Sequence, residues 1–464
     1  MSQAVESWLQ ANRDRLLAEL FDLIRCPSVS TDPAYGEGMA KAASLLESRL
    51  GRIGLSDVQL LDGGGHKSVF GQWTGAAGKP TILVYGHYDV QPPDPFELWK
   101  SPPFEPTLQG DRYVARGASD DKSPLWIALC AIEAWLAVEG KLPVNVKILL
   151  EGEEECGSKS IPVILERYRD LLAADVLVSA DGGRWRPGRP SVNTNSRGNV
   201  SLEVRVRTAA RDLHSGRFGG PVGNAASVLA RLIAGLHDET GRIAVPHFFD
   251  GLKRPGNADF ASMDALGFDE AAFFAEIGAR SGAGEPGYRL LEQLWLRPTL
   301  EVNGIGGGYQ GAGGKTVIPA EAFAKLTCRL GPGQDPKAVA DAVEAHLRKS
   351  LPGWADIEIT RRNDGIAAYA VPEDDPWLAA VEGVIESVHG QKPLRVGVGG
   401  TLPISAMVKS ALGLETVMLS YAIADEQIHA PNEFFRLSSF DEGLVAWARA
   451  LPAFGAVRVR GDTR

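Results

Sequence analysis

Apolar residues in the first part of the chain form short blocks that alternate with helical patterns. Apolar positions recur at helical spacing over residues 5–52, and similar patterns predict helices near 123–139 and 160–172. Three short and nearly continuous apolar runs are typical of buried strands and lie at residues 81–85, 144–150 and 175–179. Strands that alternate with helices predict an α/β domain with a mostly parallel sheet and helices on both faces.

The pattern changes after Arg197, where strands of a different kind begin. Apolar and polar residues alternate with period two over 200–206 and 322–329, which predicts half-buried strands. A further strand is expected at 357–359, and amphipathic helices are expected at 222–236 and 335–349. This part of the chain therefore predicts an α+β sandwich.

Helical spacing returns at 376–388, so we expect the chain to re-enter the first domain. The expected division is a catalytic, metal-binding domain of residues 1–197 and 371–464, interrupted by an inserted lid and dimerisation domain of residues 198–370. Within the insertion, residues 250–314 are rich in glycine and proline and are expected to form irregular loop.

Composition narrows the function classes. The 464 residues are 44% hydrophobic and 23% charged, as in ordinary soluble enzymes, and the net charge of −10 argues against a nucleic-acid partner. No apolar run is long enough to span a membrane, and the first residues do not resemble a signal peptide, which favours the cytoplasm. Four cysteines without close spacing predict buried free thiols: Cys26, Cys130, Cys156 and Cys328.

Five short segments place carboxylates or imidazoles where divalent metals could bind. Three of them begin at the carboxyl end of a predicted strand, which is the edge where open α/β sheets bind ligands. The segments are residues 86–90, 119–122, 151–158, 179–182 and 427–433. Each segment alone is weak evidence for a metal site. Their joint occurrence in this order predicts a hydrolase site with two metals.

The residue types in these segments suit metal chemistry. His87 and Asp89 point to the same side of an extended stretch, so one can bind a metal while the other orients it. Asp120 precedes a second acid and can bridge two cations, although such a pair is also common in loops and helix caps. The acids of residues 151–155 would repel one another without cations, unless they form a plain solvated loop. If these acids do bind cations, one of them would be a ligand and a neighbouring acid would be the base for a metal-bound water.

The remaining candidates are also open to two interpretations. Asp181 and His429 are either turn residues or part of the shell of the second metal. His214 lies in a glycine-rich turn and is either a surface histidine or a group that stabilises a developing oxyanion. The other five histidines have no acidic or glycine-rich context and are expected to be structural or solvated.

These motifs resemble the two-metal peptidase family that includes aminoacylase, glutamate carboxypeptidase and succinyl-diaminopimelate desuccinylase. The similarity is closest to the branch of the cytosolic nonspecific dipeptidase and carnosinase. It covers nearly the whole chain and includes three further segments, residues 212–216, 315–320 and 399–403.

The resemblance implies a role for each residue of the metal site. Asp120 would bridge both metals, Glu154 would be the general base, and Asp89 would orient a ligand. The other implied ligands are His87, Glu155, Asp181 and His429. The peptide bond after Asp120 is implied to be cis. The cofactors are two divalent ions per subunit, with zinc favoured and manganese or cobalt as alternatives, because the ligands include no sulfur.

The resemblance also implies a homodimer in which His214 acts in the site of the partner subunit. Arg329 would hold the terminal carboxylate of the substrate, with Thr316 and Thr401 as nearby polar contacts. Two positions depart from the family pattern, Ser123 after the acidic pair and Val398 before the Gly-Gly of 399–400.

The expected function is hydrolysis of dipeptides or short peptides by a hydroxide that bridges two divalent metals, with Glu154 as base. An alternative is hydrolysis of N-acyl amino acids or related amides, as in aminoacylase. A remote alternative from another class is a metal-binding scaffold without catalysis. No partner is expected among nucleic acids or membranes.

Overall fold

The computed structural model describes residues 2–362 and 364–458, and the chain divides into two compact units. The first unit comprises Met1–Thr194, Val371–Val396 and Pro403–Arg464, and the second comprises Asn195–Ala370 and Gly397–Leu402. The strands Ser191–Ser196 and Leu394–Val398 run across the unit boundaries.

The division by contacts differs from the expected one chiefly in a short segment, Gly397–Leu402, that groups with the second unit. The backbone N–H of Arg197 donates to the Gly400 carbonyl at 3.0 Å, and its Nε donates to the Gly399 carbonyl at 2.8 Å. The sequence pattern does not reveal this tertiary pairing, because the partners are about 200 residues apart.

The first unit is built on a six-stranded sheet, and the predicted α/β class is confirmed. In spatial order its strands are Ser56–Leu61, Ser68–Trp73, Asn145–Glu151, Thr81–His87, Val176–Ser179 and Glu415–Met418. The last four are parallel to one another, whereas the first two form an antiparallel edge. The parallel strands are almost fully buried, which explains their unbroken apolar sequences.

Helices cover both faces of this sheet. On one face, apolar residues of Ile161–Arg167 and Pro403–Leu412 form a core with Leu83, Tyr85 and Leu149. The other face is covered by Ser123–Glu139, which packs between Ser2–Ile24 and Leu437–Phe454. The remaining helices of the unit are Gly36–Arg52, Arg169–Leu172 and Pro376–His389, and a small sheet contains Thr107–Gln109, Arg112–Val114 and Phe434–Arg436.

The second unit contains an antiparallel four-stranded sheet. In spatial order its strands are Thr299–Gly307, Glu321–Leu330, Gly198–Arg207 and Asp356–Arg361. Helices Ala225–Ala234 and Pro336–Ser350 bury their apolar faces against it. Leu213–His214 and Val317–Ile318 form a separate two-stranded pair, and the short helix Ser215–Phe218 follows the first of them.

The expectation of irregular loop over residues 250–314 is wrong. This segment contains three helices and an edge strand of the sheet: Asn257–Ala265, Glu270–Glu276, Leu290–Trp295 and Thr299–Gly307. The edge strand is rich in glycine and has only one buried residue, so it lacks the buried alternation that identifies a strand.

The four cysteines are free, and three of them are buried. Within residues 2–362 and 364–458, no helix is both long enough and apolar enough to cross a bilayer.

Candidate metal centre

Three adjacent parallel strands bring predicted site residues to one edge of the first sheet. His87 is the last residue of Thr81–His87, and Asp181 lies two residues beyond Val176–Ser179. Glu154 and Glu155 lie in a short turn after Asn145–Glu151, the strand on the other side of Thr81–His87. Because parallel strands end at the same edge, these side chains converge.

Asp120 links the two imidazoles of the site. Its Oδ1 lies 2.9 Å from Nε2 of His87, and its Oδ2 lies 2.9 Å from Nε2 of His429. The same nitrogen of His429 is 3.2 Å from Oε2 of Glu155. The Asp120–Asp121 peptide bond is cis.

Two groups of atoms that could bind a metal ion share this residue. One consists of His87, Asp120 and Asp181, and the other of Asp120, Glu155 and His429, with the atoms of each group within 4.8 Å of one another. A carboxylate that belongs to both groups is the geometry that a bridge between two cations requires. Imidazole and carboxylate donors without thiolate fit zinc, manganese or cobalt.

Asp89 organises the ligands around it without belonging to either group. It accepts hydrogen bonds from the backbone N–H groups of Glu154 and Glu155 at 3.2 and 3.0 Å, and from the Ser30 hydroxyl at 2.6 Å. Nδ1 of His87 lies 3.1 Å from the Asp89 carbonyl oxygen. In the neutral ring, a proton held on Nδ1 by this carbonyl leaves Nε2 as the nitrogen available to a cation.

Close packing fixes the end of the strand that carries His87. A Cβ on Gly86 would lie 2.7 Å from Oδ2 of Asp121 and 2.7 Å from Cβ of Leu125, so this position has no room for a side chain. The same Asp121 oxygen accepts a hydrogen bond from the His87 backbone N–H at 3.1 Å. Thus Gly86 permits the approach that ties His87 to the segment bearing Asp120.

The loop that carries His429 has unusual backbone geometry. Gln427, His429 and Asn432 all have positive φ, between 55° and 66°, which costs energy for residues with a side chain. Asn432 anchors the loop, because its side chain bonds the Leu98 carbonyl and the Lys100 N–H, both at 2.8 Å. The loop conformation is therefore held by contacts outside itself.

Glu433 supports the same region and was not singled out from the sequence. Its buried carboxylate accepts hydrogen bonds from the N–H groups of Gly117, Ser119 and Asp120 at 2.8–3.0 Å, and forms an ion pair with Arg116 at 2.8 Å. Its only sequence signal was its place in the fifth segment, two residues after a proline. The role depends on contacts with residues more than 300 positions away.

The electrostatics of the site reflect its crowded acidic side chains. Burial raises the pKa of Glu154 well above its usual value, and the charges of Asp181 and Asp120 raise it further. Burial likewise raises the pKa of Asp181 to about 6. Hydrogen bonds to Asp120 and Glu155 raise the pKa of His429 to about 10. At pH 7 the protons on Glu154 and His429 therefore partly offset the negative charge of the cluster, whereas Asp181 stays mostly ionised.

The pKa values of His87 and Asp120, at the centre of the cluster, shift in opposite directions. Burial opposes protonation of His87, but hydrogen bonds to Asp120 and Asp89 outweigh it, and its pKa is raised. Burial alone would raise the pKa of Asp120, yet hydrogen bonds with His429 and His87 hold it well below its usual range. Asp120 is therefore ionised and the imidazoles carry the protons.

The other predicted site residues belong to the second unit. His214 is exposed, and its Nδ1 accepts a hydrogen bond from the Gly216 N–H at 3.1 Å. Thr316 is adjacent to it, because the Ser215 N–H donates to the Thr316 carbonyl. Nη1 of Arg329 donates to the Thr401 hydroxyl at 3.0 Å. The four residues thus form two local pairs within this unit.

An α/β sheet whose carboxyl edge carries two joined groups of metal ligands is the architecture of a metal-dependent hydrolase. The chain belongs to peptidase family M20/M25/M40, whose model matches residues 83–453. The family resemblance inferred from the motifs is thereby confirmed.

Known relatives share nearly the whole length of the chain. The Cys-Gly metallodipeptidase of Candida albicans is 28% identical over 450 residues, which cover 93% of each chain. The human β-Ala-His dipeptidase is 27% identical over 462 residues, covering 96% of this chain and 91% of its own. An M20-family metallo-carboxypeptidase from Sulfolobus solfataricus superposes with a TM-score of 0.85 at 30% identity, covering 95% of this chain and 99% of the other.

The raised pKa values predict that metal binding releases protons. Cations bound at His87 and His429 would displace the proton of each imidazole, and they would also displace the proton of the neighbouring Glu154, because all three pKa values are raised; we therefore expect loading at pH 7 to release about two to three protons per chain. Calorimetry of zinc binding in buffers of different ionisation enthalpy measures this number. His429→Asn should release about one proton fewer, whereas His346→Asn, in the second unit, should leave the number unchanged. Loading without proton release would contradict the proposed ligands.

Replacing Glu433 should weaken metal binding indirectly. Glu433→Gln leaves the buried Arg116 without its carboxylate and loosens the Asp120 backbone, so we expect a loss of about 3 kcal/mol in the free energy of unfolding. Metal affinity should fall about ten- to a hundredfold, as measured by competition with a coloured chelator. The control Glu442→Gln removes a partly exposed ion pair with Arg184 and should change affinity little. Unchanged affinity in Glu433→Gln would show that this carboxylate does not position the site.

Proposed function

We propose that this protein is a dipeptidase that uses two divalent cations to hydrolyse the peptide bond of short substrates with a free carboxyl terminus. The observation that carries the proposal is the position of Asp120 in both groups of metal ligands. Two of its relatives are a Cys-Gly metallodipeptidase and a β-Ala-His dipeptidase, which supports dipeptides as substrates.

Five side chains are proposed to hold the cations. His87 and Asp181 would bind one cation and Glu155 and His429 the other, while Asp120 binds both. Bound cations would supply Lewis-acid activation of water and of the peptide carbonyl. Zinc is favoured by the donor set, and manganese and cobalt are the alternatives.

Glu154 is proposed as the general base. It lies next to the ligand Glu155, and its backbone is fixed by Asp89, so its carboxylate has a defined position at the cluster. In this role Glu154 takes the proton of the attacking water and delivers it to the nitrogen of the leaving amine. Asp89 keeps the His87 ring in its orientation, which makes it a positioning residue for the reaction.

The second unit is proposed to bind the substrate. Because the Gly216 N–H donates to Nδ1 of His214, the neutral ring carries its proton on Nε2 and can donate to a developing oxyanion. Arg329 offers the forked donors that match a carboxylate, with Thr401 hydrogen-bonded to it and Thr316 as a further polar contact.

We also propose that the protein is a homodimer in which the second unit is the lid and dimerisation domain. Its edge strand Thr299–Gly307 pairs with a neighbour on one side only within the described chain. Val302 and Ile305 on this strand are 40% and 58% exposed, an apolar surface on an unpaired edge. His214 would then act in the site of the partner subunit.

The proposed function is tested with metal-free protein refilled with zinc or manganese. We expect hydrolysis of Ala-Ala, loss of activity with a chelator, and much slower hydrolysis of N-acetyl-alanine. Faster hydrolysis of the N-acetyl substrate would favour the aminoacylase-like alternative. Stoichiometric metal binding with no hydrolysis of either substrate would leave the scaffold alternative.

The role of Glu154 is tested in the same assay. Glu154→Gln keeps the shape but loses the base, so kcat should fall about 10²- to 10⁴-fold while metal content stays the same. The matched control is Glu153→Gln, because the Glu153 carboxylate accepts bonds from the backbone of His66 and Ser160. This control should keep activity within a few fold of wild type. Wild-type turnover by Glu154→Gln would exclude it as the base.

The action of His214 in the partner's site is tested by mixing inactive variants. A heterodimer of His214→Ala and Glu154→Gln subunits restores one complete site if His214 acts across the dimer, and none if it acts within its own subunit. After co-refolding we expect up to about a quarter of wild-type activity, because half the dimers are mixed and each has one intact site. Absence of complementation in a preparation that contains heterodimers would place His214 in its own subunit's site.

A further inference from the structure

The second unit contains two neighbouring guanidinium groups, Arg197 and Arg329, without a counterion. Neither has a carboxylate oxygen within 4.0 Å in the described part of the chain. Burial, and then the charge of Arg329, lower the pKa of Arg197 to about 10, with Glu301 opposing the shift. Two adjacent positive charges that the protein does not neutralise favour an anion from outside.

Arg197 uses its donors on main-chain carbonyls. Its Nε donates to Gly399 at 2.8 Å, and its Nη1 lies 3.3 and 3.4 Å from the carbonyl oxygens of Gln293 and Arg297. Its backbone N–H also donates to the Gly400 carbonyl at 3.0 Å. The side chain thus links the segment Gly397–Leu402 to the end of the helix that precedes the edge strand.

This segment presents Thr401 to Arg329. The Thr401 hydroxyl accepts from Nη1 of Arg329 at 3.0 Å, two residues after the carbonyl that Arg197 holds. The segment passes so close to the Leu294 carbonyl that a Cβ on Gly399 would lie 2.9 Å from its oxygen. Glycine at this position therefore allows the approach, and Arg197 fixes it.

We propose that Arg197 is a positioning residue that holds Thr401 and Arg329 as a preformed carboxylate site and so sets a preference for substrates with a free C-terminal carboxylate. The inference rests on the proposed function and adds a residue to it. Arg197 acts in two ways: its fork of donors fixes the Gly399–Thr401 backbone, and its charge strengthens the attraction of Arg329 for an anion. A peptide amide gains nothing from the second effect.

The experiment compares Ala-Ala with its C-terminal amide, using the full-length, metal-loaded protein. In Arg197→Gln we expect KM for Ala-Ala to rise about tenfold, since a charge-assisted interaction is weakened. The kcat for Ala-Ala and the KM for the amide should stay within about twofold. Arg197→Lys keeps the positive charge but lacks the forked guanidinium donors. Its KM for Ala-Ala should lie between those of Arg197→Gln and wild type.

Two controls separate this role from a general structural one. Arg205→Gln removes a partly exposed arginine from the strand Gly198–Arg207 of the same unit and should leave the ratio of kcat/KM for the two substrates unchanged. In the Arg329→Gln background, Arg197→Gln should add little to the loss for Ala-Ala, because Arg197 acts through Arg329. Thermal unfolding and metal content verify that each variant is folded and loaded.

The outcomes distinguish the inference from the function on which it rests. Failure of the wild-type protein to hydrolyse Ala-Ala overturns the proposed function, and the inference with it. If wild type is active, equal losses for Ala-Ala and the amide, or additive effects of the two arginine substitutions, overturn the inference alone. If Arg197→Gln does not fold, Arg197→Lys is used in its place. A wild-type ratio of Ala-Ala to amide hydrolysis in Arg197→Lys, together with reduced thermal stability, would overturn the positioning role.

Discussion

Mutual repulsion among partly buried carboxylates determines the properties of the candidate metal centre. Asp120, Glu154, Glu155 and Asp181 interact in a partly water-excluded space, where like charges cost far more than in solvent. Without cations, protons on His429 and Glu154 offset part of this repulsion, as the raised pKa values of both residues indicate. Divalent cations at the proposed sites would satisfy the same requirement with more charge, so the acidic cluster and the proposed metal binding have one physical origin.

The backbone around this cluster is held by two carboxylates that belong to neither group of candidate ligands. Asp89 accepts N–H donors from the turn of Glu154 and Glu155, and Glu433 accepts them from the turn of Asp120. Each connects a ligand-bearing turn to a distant part of the chain. Arg197 does the reverse in the second unit, since a cation there gathers backbone carbonyls around the Thr401 and Arg329 pair. In both units, a charged residue orders the main chain next to the proposed site residues.

The strands and site residues that could be predicted from the sequence are those that a local pattern of residues encodes. The buried parallel strands at Thr81–His87, Asn145–Glu151 and Val176–Ser179 were predictable because their apolar runs are continuous, and the motifs at their ends located the acids. The edge strands Ser56–Leu61 and Thr299–Gly307 were missed because their exposed residues break any burial pattern. Glu433 and Arg197 were missed for another reason: their partners lie from 96 to more than 300 residues away, and no local pattern records such pairing.

The central claim is that Asp120 joins two cation sites, and crystallography of zinc-loaded protein with anomalous scattering at the zinc edge tests it most directly. The account predicts two anomalous peaks per chain about 3.5–4 Å apart. Each cation should be bound by a different oxygen of Asp120. His87 and Asp181 should bind one cation, and Glu155 and His429 should bind the other. A single peak, or two peaks of which only one contacts Asp120, would contradict the account.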